Sequence, residues 1–161
     1  MIVAGCSRPA APTVAAGNAT VLWVVDGDTI NVDVQGVEES VRLIGIDTPE
    51  KTGSLRPAEC YGDEASVRLR ELLPVGTQVF LEIDEEARDR YERLLAYVHR
   101  SEDNLFVNLT MVEEGYAASY PFEPNLFHAD VLAAAHSQAR TQGLGLWTVC
   151  GGTDLALPPS N

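Results

Sequence analysis

The chain has 161 residues, 45% of them hydrophobic, which suffices for one domain with its own core plus tails. No run of about 18 apolar residues occurs, which excludes a membrane-spanning helix within this sequence. Against 24 acidic residues stand 11 Lys and Arg, giving a net charge of -13. Such a field repels polyanions, so an anionic partner has to be met by a local basic cluster or a metal ion.

Residues 1–18 read as a flexible tether, rich in Ala, Pro, Gly and Thr. Within it, Val3-Ala4-Gly5-Cys6 has the form of a bacterial lipobox, with Cys6 as the lipidation site, although only Met1 and Ile2 precede the motif. The folded domain is expected over 19–151 and a loose tail over 152–161. In chain order, "ATVLWVV", "TINVDV" and "SVRLIGI" carry apolar or alternating patterns separated by "DGD" and "QGVEE", the pattern of a three-strand meander. "GDEASVRLRELLPVG" follows as a helix, with Asp63 as its N-cap, Ala65, Leu69 and Leu72 on one face, and Pro74 as its stop. Then come strands "QVFLEI" and "LLAYVH" around a charged loop, a short "LFVN" leading into helical "LTMVEEG", and a longer helix ended by Gly143. Five strands interrupted and followed by helices predict a small closed barrel with helices packed on it, an α+β fold.

Chemistry-bearing residues recur at the ends of these elements. Asp26-Gly27-Asp28 sits at a hairpin joint, where both residue types tolerate the positive φ of tight turns; the two aspartates either make the turn or hold a ligand. Arg42 lies inside a strand, where alternation would aim it with Ile44 and Ile46, and Asp47, Thr48 and Glu50 follow where that strand ends at Pro49. Arg88, Arg90 and Arg93 crowd the loop before "LLAYVH". The three histidines, His99, His128 and His136, read as structural. Three cysteines without metal-type spacing argue against a zinc site. Cys60 and Cys150 are either two ordinary thiols or, in an exported protein, a disulfide that stabilises by about 3–5 kcal/mol.

Asp26-Gly27-Asp28-Thr29, the run from Arg42 to Glu50, and Asp89-Arg90-Tyr91-Glu92-Arg93-Leu94-Leu95-Ala96-Tyr97, with "YGDEAS" between and "GLW" near the end, resemble the staphylococcal (micrococcal) nuclease, or thermonuclease, family. The resemblance runs from about Val21 to Trp147. It implies a five-stranded OB-fold barrel with three helices and a calcium-dependent endonuclease acting on single-stranded DNA and RNA, more slowly on duplex, leaving 3′-phosphate ends. It further implies that Asp28, Asp47 and the carbonyl of Thr48 hold Ca²⁺, that Glu50 orients or deprotonates the attacking water, and that Arg42 and Arg93 clamp the phosphate. Arg90, Tyr91, Tyr120 and Phe122 become substrate contacts, with sequence-tolerant stacking by the aromatics, and Asp26 supports the metal ligands from behind.

Two positions depart from the family pattern. Glu92 replaces a usual glycine beside Arg93, and Glu123 replaces a lysine of the staphylococcal enzyme. With the acidic net charge, they imply weaker nucleic-acid binding that depends more on calcium. The competing readings are a catalytically idle domain of the same fold that binds nucleic acid or protein, and a barrel binding an unrelated ligand such as an oligosaccharide, which leaves the acidic and arginine set unexplained. A monomer, exported or held at the cell surface, completes the expectation.

Overall fold

The computed structural model describes residues 18–153; the tether up to residue 17, Cys6 and most of the expected tail lie outside that range. The meander forms as β1 (Asn18–Val24), β2 (Thr29–Val34) and β3 (Val37–Leu43). Gln35 and Gly36 both take positive φ, 56° and 88°, as a two-residue hairpin of the primed type demands. That turn fixes the register: Val34 faces Val37, and counting back puts Thr29 opposite Arg42. β5 (Gln78–Glu82) pairs antiparallel with β1 and with β6 (Leu94–Arg100), whose end pairs with the short β7 (Leu105–Phe106). A parallel pairing of β3 with β6, with Arg42 opposite Leu95, closes the five strands into the expected barrel.

Alternate residues of β2 and β3, Ile30, Val32, Val41 and Leu43, point inward and are fully buried. Leu95 to Val98 are buried consecutively, because β6 carries barrel core on one face and helix on the other. The helices are α1 (Gly62–Leu72), α2 (Val107–Glu113), α3 (Ala129–Gln142) and a short α4 (Leu146–Val149). Ala65, Leu69 and Leu72 form the buried stripe of α1, and Gly143 closes α3 in the left-handed conformation, both as expected.

Two expectations fail. Asp63 is not the N-cap of α1: Tyr61 occupies that position, and the Asp63 carboxylate instead accepts from the N–H and hydroxyl of Thr52 at 3.0 and 2.7 Å. "SVRLIGI" is not one strand either. It breaks at Ile44, Gly45 turns left-handed at φ 76°, and β4 (Gly45–Asp47) pairs with β8 (Ala118–Tyr120) outside the barrel. Arg42 therefore does not share a face with Ile44 and Ile46; both isoleucines are buried, and Arg42 stands at the barrel rim, on the side of its strand away from the core.

Candidate functional site

The rim where β1 hands over to β2 gathers most of the motif residues. Val25 and Asp26 donate their N–H groups to the Thr29 carbonyl, and the Asp26 carboxylate accepts from the Asp28 N–H at 3.2 Å, so Asp26 does help close the hairpin. Gly27 is not left-handed, however, and the reason for a glycine there is close approach. A Cβ on it would lie 2.7 Å from Thr48 Oγ1 and 3.0 Å from the Ala65 methyl. The missing side chain lets the turn sit against the Asp47-Thr48 segment. At the start of α1 a Cβ on Gly62 would lie 2.1 Å from the Glu50 carbonyl oxygen, so the same device seats the helix against the other end of that segment.

The 29-to-42 register brings Asp28 beside Arg42. Arg42 Nη2 lies 3.1 Å from Asp28 Oδ2 and 3.1 Å from Asp47 Oδ1, and Nη1 donates to the Leu43 carbonyl at 2.8 Å. Asp28 Oδ2 also accepts from the Thr48 hydroxyl at 3.0 Å and its N–H at 3.3 Å, and Oδ1 accepts from the Thr29 hydroxyl at 3.1 Å. Two carboxylates thus converge on one guanidinium nitrogen in a part-buried setting, where the attraction is screened less than on an open surface. Asp26 sits beside them, and its carboxyl is pushed up to about 6, first by burial and then by the Asp28 charge.

Glu50 is engaged elsewhere. Its N–H donates to the Glu59 carboxylate at 3.0 Å, its carbonyl accepts from the Glu59 N–H at 2.8 Å, and its carboxylate lies 3.4 Å from Arg56. Beyond Glu59, Cys60 is joined to Cys150, with Cα atoms 5.9 Å apart.

The second arginine motif is a hairpin loop. Asp89 N–H donates to the Arg93 carbonyl and Glu92 N–H to the Asp89 carbonyl, while the Asp89 carboxylate accepts from the N–H groups of Tyr91 and Arg93. The same carboxylate takes Arg93 Nε at 2.8 Å and lies 2.7 Å from Nη2. Burial acts to raise the Asp89 carboxyl, but these hydrogen bonds outweigh it and hold it below its ordinary value. Arg93 lies two residues before the strand partner of Arg42, so the loop stands on the same rim. Tyr91, exposed, has Arg90 and Arg93 over its ring at 4.7 and 5.6 Å. Tyr120 pairs with Gly45 at the end of β8, and both it and Phe122 are more than half exposed. Arg88 is committed to structure, forking onto Glu39 at 2.7 and 2.9 Å and donating to the Glu92 carbonyl.

Glu92 takes a φ of 65°, which explains why glycine suits this place: it is the left-handed last residue of a three-residue hairpin loop. The Glu92→Gly variant is expected to gain about 0.5–1 kcal/mol, the relief of a left-handed Cβ less the entropy of a freer unfolded chain. Urea unfolding measures it; an unchanged or lower midpoint would count against strain at this residue.

Buried asparagines, absent from the sequence reading, hold this rim in place. Asn125 accepts from the Glu86 N–H at 2.8 Å and donates to its carbonyl at 3.1 Å, pinning the Tyr120–Phe122 segment to the loop that leads to Arg88. Asn108 accepts from Val98 N–H and donates to the Ile44 carbonyl, tying α2 to the strand break before β4. Each follows an apolar residue, but nothing local distinguishes a clasping asparagine from a loop one, since the partners lie 39 and 64 residues away.

A closed five-stranded barrel whose rim carries paired carboxylates, a shared arginine and a second arginine loop has the architecture of an OB-type domain. The family described as "Staphylococcal nuclease homologue" matches residues 40–149, more than half of the chain. The thermonuclease of Staphylococcus intermedius is 39% identical over 124 residues, covering 77% of this chain and 72% of its own, and that of Staphylococcus hyicus is 36% identical over 128 residues, 80% and 74%. Endonuclease YncB of Bacillus subtilis is 37% identical over 139 residues, 83% of this chain and 63% of its own length. The chain belongs to the staphylococcal nuclease homologue family.

Proposed function

We propose that this protein is a calcium-dependent phosphodiesterase that hydrolyses single-stranded DNA and RNA, and duplex more slowly, with low sequence specificity, leaving 3′-phosphate ends. The observation that carries the reading is the convergence of Asp28 and Asp47 on one nitrogen of Arg42 at 3.1 Å each. Hard carboxylate and carbonyl oxygens are the donors calcium takes, and the guanidinium already fills a cationic position between them. Asp28, Asp47 and the Thr48 carbonyl would hold the ion, with Asp26 behind Asp28. When bound, calcium draws charge from a phosphoryl oxygen and orients water.

The remaining work falls to the side chains. Arg42 and Arg93 present planar forks to the equatorial oxygens, where negative charge grows as the phosphorus takes on a fifth oxygen. Glu50 accepts a proton from the attacking water or orients it. Arg90, Tyr91, Tyr120 and Phe122 supply charge and stacking faces, which tolerate any base. Export to the cell exterior or surface fits the Cys60–Cys150 bond, which persists in oxidising compartments. A monomeric state and an anchor through Cys6 belong to the same proposal.

The test is cleavage of a single-stranded DNA oligonucleotide with calcium, with chelator, and by Glu50→Gln. Cleavage is expected to need calcium, to fall about 10²–10⁴-fold in the variant, and to leave 3′-phosphate ends. An unmutated protein that binds calcium yet leaves the oligonucleotide intact would hand the case to the idle, binding-only domain.

A further inference from the structure

Away from the rim, two histidines and a glutamate from three separate elements meet at one point. Glu82 ends β5, His99 lies in β6, and His128 immediately precedes α3. Both imidazoles present Nε2 to the same carboxylate oxygen, Glu82 Oε2, His99 at 3.0 Å and His128 at 2.9 Å. The three ligand atoms all lie within 4.8 Å of one another. His99 is four residues beyond Leu95, the partner of Arg42, hence about 13 Å further along β6, and the cluster shares no residue with the rim site.

We propose that Glu82, His99 and His128 form a second metal site, for Zn²⁺, with a water as the fourth ligand. Zinc bonds of about 2.0–2.1 Å in a tetrahedron separate the ligand atoms by about 3.3 Å, so two of the three edges are within a few tenths of an ångström of the required length. Imidazole nitrogen suits zinc and does not suit calcium, which takes oxygen, so the two sites select different ions by ligand chemistry.

The rings are held in place before any ion arrives. His99 stacks on Phe106 at 4.7 Å and 17°, and His128 meets Tyr97, Phe127 and Phe106 at 4.5, 4.7 and 4.8 Å. The Tyr97 hydroxyl and the Phe127 N–H in turn donate to Asp84, which steadies the wall from behind. The three side chains remain 15–30% exposed, leaving an entry path and room for the water. An ion here would tie the β5–β6 hairpin to the end of the segment that carries Tyr120 and Phe122, so zinc would stiffen the aromatic loop without touching the rim.

The test is calorimetric titration of the chelator-treated full chain with zinc chloride in excess calcium, which keeps the rim carboxylates occupied, together with the visible spectrum of the cobalt form. One zinc per chain is expected, with a raised melting temperature, tetrahedral cobalt absorption, and affinity weakened at least about tenfold in His99→Gln and in His128→Gln but unchanged in Asp47→Asn. Zinc affinity in both histidine variants equal to that of the unmutated protein would overturn the proposal. So would the absence of tetrahedral cobalt absorption from the unmutated protein, an outcome that does not depend on any variant folding.

Discussion

The Arg42→Met variant is expected to cleave about 10²–10³-fold more slowly than the unmutated protein and, in chelator, to unfold about 2–3 kcal/mol more easily, with calcium restoring the stability but not the rate. Methionine keeps the apolar stem of the side chain and removes only the fork. The Asp28 side chain is 11% exposed, so without Arg42 it keeps only the Thr29 and Thr48 bonds against a nearby Asp47 and Asp26. Leaving a part-buried carboxylate without its counter-charge is one of the larger single losses available to a small domain. Calcium at about 100 times its dissociation constant contributes about 2.7 kcal/mol by mass action, enough to offset that loss. It does not replace the guanidinium at the phosphate, so the rate stays low. Melting in chelator and in calcium, beside single-turnover cleavage in calcium, separates the two roles. Recovery of the rate by calcium would sink the assignment of Arg42 to the phosphate.

Much of this arrangement is legible in the sequence because its register is set locally. Once Gln35-Gly36 is recognised as a two-residue hairpin, Asp28 and Arg42 become neighbours by counting. The same holds for Asp89, whose carboxylate closes on residues two and four positions later. What escapes is decided by close approach or by distant partners. Gly27 reads as a turn glycine, yet its role is to leave space for Thr48, across 21 residues of chain. Arg42 is misaimed by strict alternation because the strand breaks at Ile44 and Gly45, after its pairing with β6. Asp63 has the residue type of an N-cap, but Tyr61 and Gly62 start the helix two residues early, packed on Glu50, and Asp63 turns to Thr52. His99 and His128 read as separate packing residues because their common partner, Glu82, lies 17 and 46 residues away.

The other large effect is expected from the Cys60→Ser, Cys150→Ser pair, which should lose about 4–5 kcal/mol of unfolding free energy. The bond closes a loop with a sequence separation of 90, for which chain entropy alone gives a figure of that size. Small domains have about 5–15 kcal/mol in total, so this loss removes a large share of the stability and the variant should melt far earlier. The loss should also reach the reaction. Cys60 is flanked by Glu59, which clasps the Glu50 backbone, and by Tyr61, which starts α1 against Glu50. On the other side Cys150 caps α4, whose Leu146 is fully buried and donates its N–H to the Gly115 carbonyl. Opening the bond therefore frees the end of α4 and loosens the support of Glu50, while Asp28, Arg42 and Asp47 keep their mutual bonds. Calcium affinity should change little and the cleavage rate should fall, a split that a general weakening of the fold would not produce. Urea unfolding of the oxidised and dithiothreitol-treated protein gives the stability, and calcium titration beside cleavage at a temperature where both forms are folded gives the split. A stability loss below about 1 kcal/mol would mean that the barrel and α1 hold the C-terminal helix without the covalent tie.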